Sequence, residues 1–251
     1  MQKNQQVMYP EEREYSWQDG KTLTIGKKTL IMGILNVTPD SFSDGGKWNS
    51  VDRAVQHMLE MVVNGADIID IGAESSRPGF VTTMSAKEEI ERLKPFLEAV
   101  LPACPVPVSI DTFKAETAAY AAEQGVHMLN DIWGLQYAEE PGEMAKVAAE
   151  YDLPVVVMHN RDSKVYKGDI IDSMRAFFQR SIDIACEAGV KQENIILDPG
   201  IGFGKDVEGN LEVMNRLQEL KKFAGHRYPL LLGTSRKSFI GNTLDLPVED
   251  R

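Results

Sequence analysis

The sequence predicts an α/β chain of the TIM (β/α)8 barrel class. Short apolar runs alternate with helical stretches through short connections, the pattern of parallel strands joined by right-handed crossovers. The runs are continuous rather than alternating, as expected where both faces of a strand are covered. Their starts fall evenly, from Leu30 to Leu230 in six steps of about 33 residues, which suits repeating (β/α) units. An open dinucleotide-binding sheet would be expected to carry GxGxxG after its first strand, and none stands there.

The chain begins with the polar stretch MQKNQQVMYPEEREYSW, which lacks an apolar signal segment. A small hairpin is expected next, Tyr15 to Trp17 against Leu23 to Ile25 across the turn dipeptide Asp19-Gly20. No linker or composition break follows, so residues 1–27 read as tail and hairpin and 28–251 as one barrel domain. The strand runs are Leu30–Leu35, Ile68–Ile71, Val106–Ile110, His127–Leu129, Val155–Met158, Ile195–Leu197 and Leu230–Leu232. Helices are expected over Asp52–Asn64, closed by Asn64-Gly65, and over Ser85–Val100, opened by the capping box Ser85-Ala-Lys-Glu88. Two more are expected over Ala115–Gln124, stopped by Gly125, and Ile170–Ala188, stopped by Gly189. Only 19 residues follow Leu232, and Pro247-Val-Glu-Asp-Arg251 reads as a helix start, proline first and acids next. The eighth strand and helix are therefore expected to be missing from this chain. If residues 1–251 are all there is, the chain is expected to have an open seam, to fold poorly and to be nearly inactive.

At 251 residues and 43% hydrophobic, the chain can bury one substantial core. A net charge of −11 argues against a nucleic-acid surface, yet leaves room for local positive charge that meets an anionic small molecule. Cys104 and Cys186 stand 82 residues apart with no CxxC or Cys/His cluster, which suits two reduced thiols. No apolar run approaches the roughly 20 residues that span a bilayer, so the expected location is the cytoplasm.

Barrel active sites lie at the C-terminal ends of the strands. The residues there are Asn36, Gly72-Ala-Glu74, Asp111-Thr112, Asn130-Asp131, His159-Asn160, Asp198-Pro-Gly and Gly233-Thr-Ser-Arg-Lys237. Any one of them is more often a strand terminator or helix cap than a ligand. Carboxylates or amides on three strand ends and a basic cluster on a fourth, converging on one axis, point to a site. Asp111, Asn130, Asp198 and Lys237 suit a flat, hydrogen-bonding heterocycle. Two loops, Asn36–Gly46 with Phe42 and Glu74–Gly79 with Arg77, have the length and polarity of lids. The stretch Asp198-Pro-Gly-Ile-Gly-Phe-Gly-Lys205 is not a nucleotide P-loop, because Pro199 takes the first glycine position and Asp206 follows Lys205. Its glycines instead let backbone approach a ligand, with Phe203 as an apolar wall. The four histidines, His57, His127, His159 and His226, show no metal spacing. Asn36 could hold Mg2+ through its amide oxygen together with a substrate phosphate.

Seven segments then resemble one family in the correct order: MGILNVTPDSFSDGG (32–46), ADIIDIGAESSRPG (66–79), VSIDT (108–112), LNDIWG (129–134), VVVMHN (155–160), ILDPGIGFGK (196–205) and LLGTSRKSFIG (231–241). Together they look like dihydropteroate synthase. The resemblance implies a TIM-barrel transferase of folate biosynthesis that joins 6-hydroxymethyl-7,8-dihydropterin diphosphate to 4-aminobenzoate. Mg2+ assists, sulfonamides compete with the aminobenzoate, and the complete protein is a homodimer. Carried onto this chain, Asp111, Asn130, Ile132, Met158, Asp198, Phe203, Gly233 and Lys237 bind the pterin. Phe42, Ser76, Arg77, Pro78 and Ser238 shape the aminobenzoate site, and Asn36 serves Mg2+ and diphosphate. Asp111, Lys237 and the lid residue Asp44 take the catalytic roles. Ala73 and Ser76 depart from the pattern, where glycine and threonine are common in relatives. The resemblance also implies that an Arg and a His on the eighth strand hold the diphosphate.

Two rival readings stay open at this point. A pterin-binding methyltransferase could share the pocket, and diphosphate release on adding aminobenzoate separates it from the synthase. A non-catalytic pterin-binding fragment would bind pterin without turnover.

Overall fold

The computed structural model describes residues 12–38, 46–74, 84–223 and 225–251. The hairpin comes first, β1 (Arg13–Ser16) against β2 (Thr22–Ile25), with Tyr15 opposite Leu23. The main sheet is parallel, in the order β3 (Met32–Asn36), β4 (Ile68–Gly72), β5 (Val108–Asp111), β6 (Met128–Asp131), β7 (Val155–Met158) and β8 (Ile195–Asp198). Strand order equals chain order, as a barrel wall requires. A helix follows each strand: α1 (Gly46–Val63), α2 (Ala86–Ala103), α3 (Ala115–Gln124), α4 (Glu143–Glu150), α5 (Ile170–Ala188) and α6 (Val207–Asn215).

The helix boundaries have local causes. Ser85 Oγ accepts from the Glu88 N–H while the Ser85 N–H donates to Glu88 Oε2, the reciprocal cap that starts α2. Asp169 accepts from Ile171 and Asp172 at the start of α5, which ends at a left-handed Gly189. The sequence reading leaves α4 and α6 unassigned. Residues 248–250, read as the start of a helix, form a single 3-10 turn with Pro247 before it.

One expected strand is much reduced. Leu230–Leu232 makes a single parallel bridge to β8, from Leu197 to Leu230. Two hydrogen bonds hold it, Leu197 N to Pro229 O and Leu231 N to Leu197 O, and the chain then turns at Gly233-Thr234 toward α7 (Ser238–Leu244). With one bonded neighbour, the segment is too briefly paired to form a ladder.

Alternation along the strands divides the core. Leu35, Ile69, Ile71, Ile110, Leu129, Val155, Val157 and Leu197 face the helices. Ile68, Met128, Val156 and Ile196 face the other way and pack with Tyr15 and Leu23, flanked by Trp17, Met32 and Leu231. The hairpin thus plugs the end of the barrel where strands begin. Tyr15 OH donates to Glu193 O at 2.6 Å, and Arg13 reaches Glu193 O and Arg227 O. Each buried apolar side chain in this plug contributes roughly 1.5–3 kcal/mol. The plug leaves the opposite end, where strands finish, for chemistry.

Candidate active site

The strand register builds the site. Asn36 pairs with Gly72, Gly72 with Asp111, and Asp111 with Asn130, so four consecutive strands end in one row. Met158 is level with Asp198 on the next two. Gly72 leaves room in this row: a Cβ there would stand 3.3 Å from Asp111 Oδ2. Asp111 and Asn130 are half-buried, Met158 and Asp198 are buried, and Asn36 is exposed.

Lys237 enters from the other side, as the residue before α7. Its Nζ lies 4.3 Å over the Phe203 ring, a cation–π contact. Burial lowers its pKa, while the charges of Asp198 and Asp111 hold it up. Asp198, Asp111, Lys237 and Phe203 therefore share one environment. Asp198 is pushed up to about 6 by burial, against the Gly200 N–H at 2.7 Å and the charges of Lys237 and Lys205. At neutral pH Asp198 is therefore mostly an anion, and the Lys237 side chain lies close by.

The loop after β8 is shaped by its glycines. Gly200 has φ +63, and a Cβ there would fall 2.1 Å from His159 O. Gly202 has φ +88 and lies under Lys237, whose Cδ would be 3.0 Å from a Cβ. Lys205 holds this loop from within. It is only 3% exposed, and its ammonium donates to Gly200 O at 2.9 Å, Phe203 O at 3.0 Å and His159 Nδ1 at 3.1 Å. All three donors are used. Burial draws Lys205 down to about 7, and burial with the Lys205 and Arg161 charges draws His159 down to about 2, so His159 is the neutral acceptor. The P-loop reading fails here in physical terms too, because this lysine turns inward to backbone rather than outward to phosphate.

A second buried network braces β5. Lys114 pairs with Glu74 and Glu89, and Thr117 Oγ1 donates to Glu89 at 2.8 Å. Asp131 closes the turn after β6, accepting from Trp133 N at 2.8 Å and Leu135 N at 2.6 Å. Beneath the top row, Asn130 Nδ2 donates to the buried Asp70 at 3.0 Å.

Residues 32–251 match the family described as pterin binding enzyme. The dihydropteroate synthase of Clostridium beijerinckii is 54% identical over 231 residues, or 92% of this chain and 83% of the relative. The chain belongs to the dihydropteroate synthase family. Two solved members share most of the fold. The Clostridium difficile dihydropteroate synthase, crystallised in the presence of pteroic acid, has a TM-score of 0.83 at 50% identity, covering 89% of this chain and 82% of that one. The Xanthomonas albilineans enzyme with 4-aminobenzoic acid has a TM-score of 0.83 at 36% identity, covering 92% and 82%. These likenesses bear out the barrel class and the family read from the seven segments.

Of the family positions, the fold brings Asp111, Asn130, Met158, Asp198, Phe203 and Lys237 to one end of the barrel. Ile132 and Gly233 are half-buried at the same strand ends, and Ser238 is exposed beside Lys237. Asp44, Phe42, Ser76, Arg77 and Pro78 lie outside the described residues. Among the described residues, no group of three or more His, Cys, Asp or Glu could hold a metal. Sequence reasoning missed Asp70 and the inward role of Lys205. The one available signal was a lone acid inside the apolar run Ile68–Ile71.

Proposed function

We propose that this chain transfers the 7,8-dihydropterin-6-ylmethyl group from its diphosphate ester to the amine of 4-aminobenzoate, giving 7,8-dihydropteroate and diphosphate. The supporting observation is the shared environment of Asp198, Asp111 and Lys237 beside Asn130 at the strand ends of a dihydropteroate synthase relative. A pterin presents a donor edge that suits carboxylate and amide oxygens, and an acceptor carbonyl that suits a lysine. Asp198 and Asn130 accept from the donor edge, and Lys237 donates to the carbonyl and ring-nitrogen side. Phe203 and Met158 wall the ring.

Departure of diphosphate leaves a methylene cation conjugated to the ring. The Asp111 and Asp198 carboxylates stabilise that charge as it develops, worth about 3–4 kcal/mol for a well-placed group. The aminobenzoate nitrogen then attacks the carbon and gives up one N–H proton to solvent or the departing diphosphate, so no nucleophilic side chain is required. We assign the aminobenzoate site to Ser238 with the loop residues Phe42, Ser76, Arg77 and Pro78, and a supporting role in catalysis to Asp44. Mg2+ fits the donor set only in company: Asn36 offers one hard oxygen at an exposed strand end, and diphosphate and water would complete the shell. When bound, the ion would neutralise charge on the leaving group. The resemblance further implies a cytoplasmic homodimer. Among the described residues, no helix is long and apolar enough to cross a membrane.

The test is diphosphate release by the purified chain with Mg2+ and the dihydropterin diphosphate. Release that requires 4-aminobenzoate and yields dihydropteroate supports the assignment. Pterin binding with no turnover at any enzyme concentration would sink it.

A further inference from the structure

We infer that Asp70 is a positioning residue that locks the Asn130 amide in one orientation and thereby sets the ring preference of the pterin pocket. The inference rests on the functional reading above.

Asp70 lies two residues before Gly72 on β4, on the same face of the strand and one layer deeper in the barrel. It is 5% exposed, and its cross-strand neighbours in register are Ile34 and Ser109. Asp70 Oδ2 accepts from Asn130 Nδ2 at 3.0 Å. Asp70 Oδ1 and Ser109 Oγ are both buried, and neither has a hydrogen-bond partner of good geometry among the described residues. Burial lifts the Asp70 pKa, with Ser109 and Asn130 pulling the other way. The mechanism makes no use of this acid, which lies one layer below the row of Gly72, Asp111 and Asn130.

An asparagine amide has a donor end and an acceptor end, and a half-turn of the group exchanges them. The bond to Asp70 commits Nδ2 to the barrel interior. Asn130 Oδ1 is then the atom left to face the pocket. An acceptor there selects a ring that presents an amine and opposes one that presents a carbonyl. A site built to bond one polar edge rejects the wrong edge strongly, because a buried group is left unpaired.

The experiment is calorimetric binding of 6-hydroxymethylpterin and of its counterpart with oxygen in place of the 2-amino group, using the full chain. Wild type is expected to prefer the amine. Asp70→Leu removes the acceptor at similar volume and frees the amide to turn. It is expected to weaken pterin binding about tenfold and to lose most of the preference. Asp70→Asn keeps an acceptor oxygen for Asn130 and is expected to keep the preference. In an Asn130→Ala background, Asp70→Leu is expected to have no further effect on affinity, a result that a general packing role would not produce. A folded Asp70→Leu protein that keeps the preference, or an undiminished loss in the Asn130→Ala background, overturns the inference. Should Asp70→Leu fail to fold, Asp70→Asn decides, and loss of its preference overturns the inference. A wild type that binds neither ring sinks the functional reading itself.

Discussion

Asp198 carries a burial penalty that its neighbours offset only in part, which holds its pKa at about 6 instead of the usual carboxylate range. The carboxylate is therefore protonated over a range of pH where exposed acids are ionised. If it must be an anion to stabilise the pterin cation, kcat/KM rises as pH increases through about 6 and levels above it. Asp198→Asn is expected to lower kcat/KM by about 100-fold and to erase this inflection. A pH–rate profile of the two proteins checks it, and an inflection that survives in Asp198→Asn would assign it elsewhere. Asp198 was legible in the sequence because a polar residue ending an apolar run sticks out. Asp70 and Lys205 were not, for a shared reason. Each lies inside, and its meaning depends on which atoms face it across the barrel. Asp70 meets a residue 60 positions away and Lys205 one 46 positions away, distances that no local pattern encodes.

Longer helices with a cap or a glycine stop could be read; short helices held mainly by tertiary contact could not. The helices α3 and α5 end at glycines in the left-handed region, and α2 starts at a reciprocal cap, so all three declare their limits locally. By contrast, α4 and α6 span only 8 and 9 residues, and α6, although Asp206 caps it by accepting from the Gly209 N–H, carries Gly209 and Asn210 close to its start. Such helices form because Met144, Val147 and Val213 are buried against the rest of the fold. The seventh strand was over-read, since an apolar triplet does not reveal how many partners it will find. The loop after β8 offers a test at this scale. Gly200→Ala puts a side chain at positive φ and 2.1 Å from His159 O, so the loop must shift and release the Lys205 bonds. It is expected to lower stability by more than ~2 kcal/mol. Among the described residues a Cβ at Gly233 would meet nothing within 4 Å, and Gly233→Ala is expected to change stability by less than ~1 kcal/mol. Urea unfolding of the pair decides, and equal effects would contradict the account of the loop.

At the scale of the whole molecule, the buried titratable groups divide into two sets that respond to pH with opposite sign. His127, at the plug, has its pKa lowered by burial although Asp19 lies 3.0 Å from its Nε2, and His159 is lowered to about 2. His159 is neutral in the fold, and His127 takes a proton there less readily than in the unfolded chain. Above about 6.5 they are neutral unfolded as well and carry no penalty. As pH falls below that value the unfolded chain takes protons that the fold refuses, and stability drops by up to about 1.4 kcal/mol per group for each pH unit. The buried acids act the other way. Burial raises Asp131 to about 7 and Asp198 to about 6, and raises Asp70 and Glu89 as well. Between the unfolded carboxylate pKa near 4 and those values, the fold keeps protons that the unfolded chain gives up. Lowering pH through this window therefore favours the fold and opposes the loss at the histidines. Below about pH 4 the unfolded acids are protonated too, that support ends, and the His159 penalty continues. The lowered pKa values of Asp19 and Asp169 add to the loss there, because their native charges are neutralised. The expected curve has a urea midpoint that does not decline from pH 6.5 to 4.5 and then falls steeply below pH 4. A steady decline beginning at pH 6.5 would mean that the histidines dominate and that the buried acids are not held protonated by the fold.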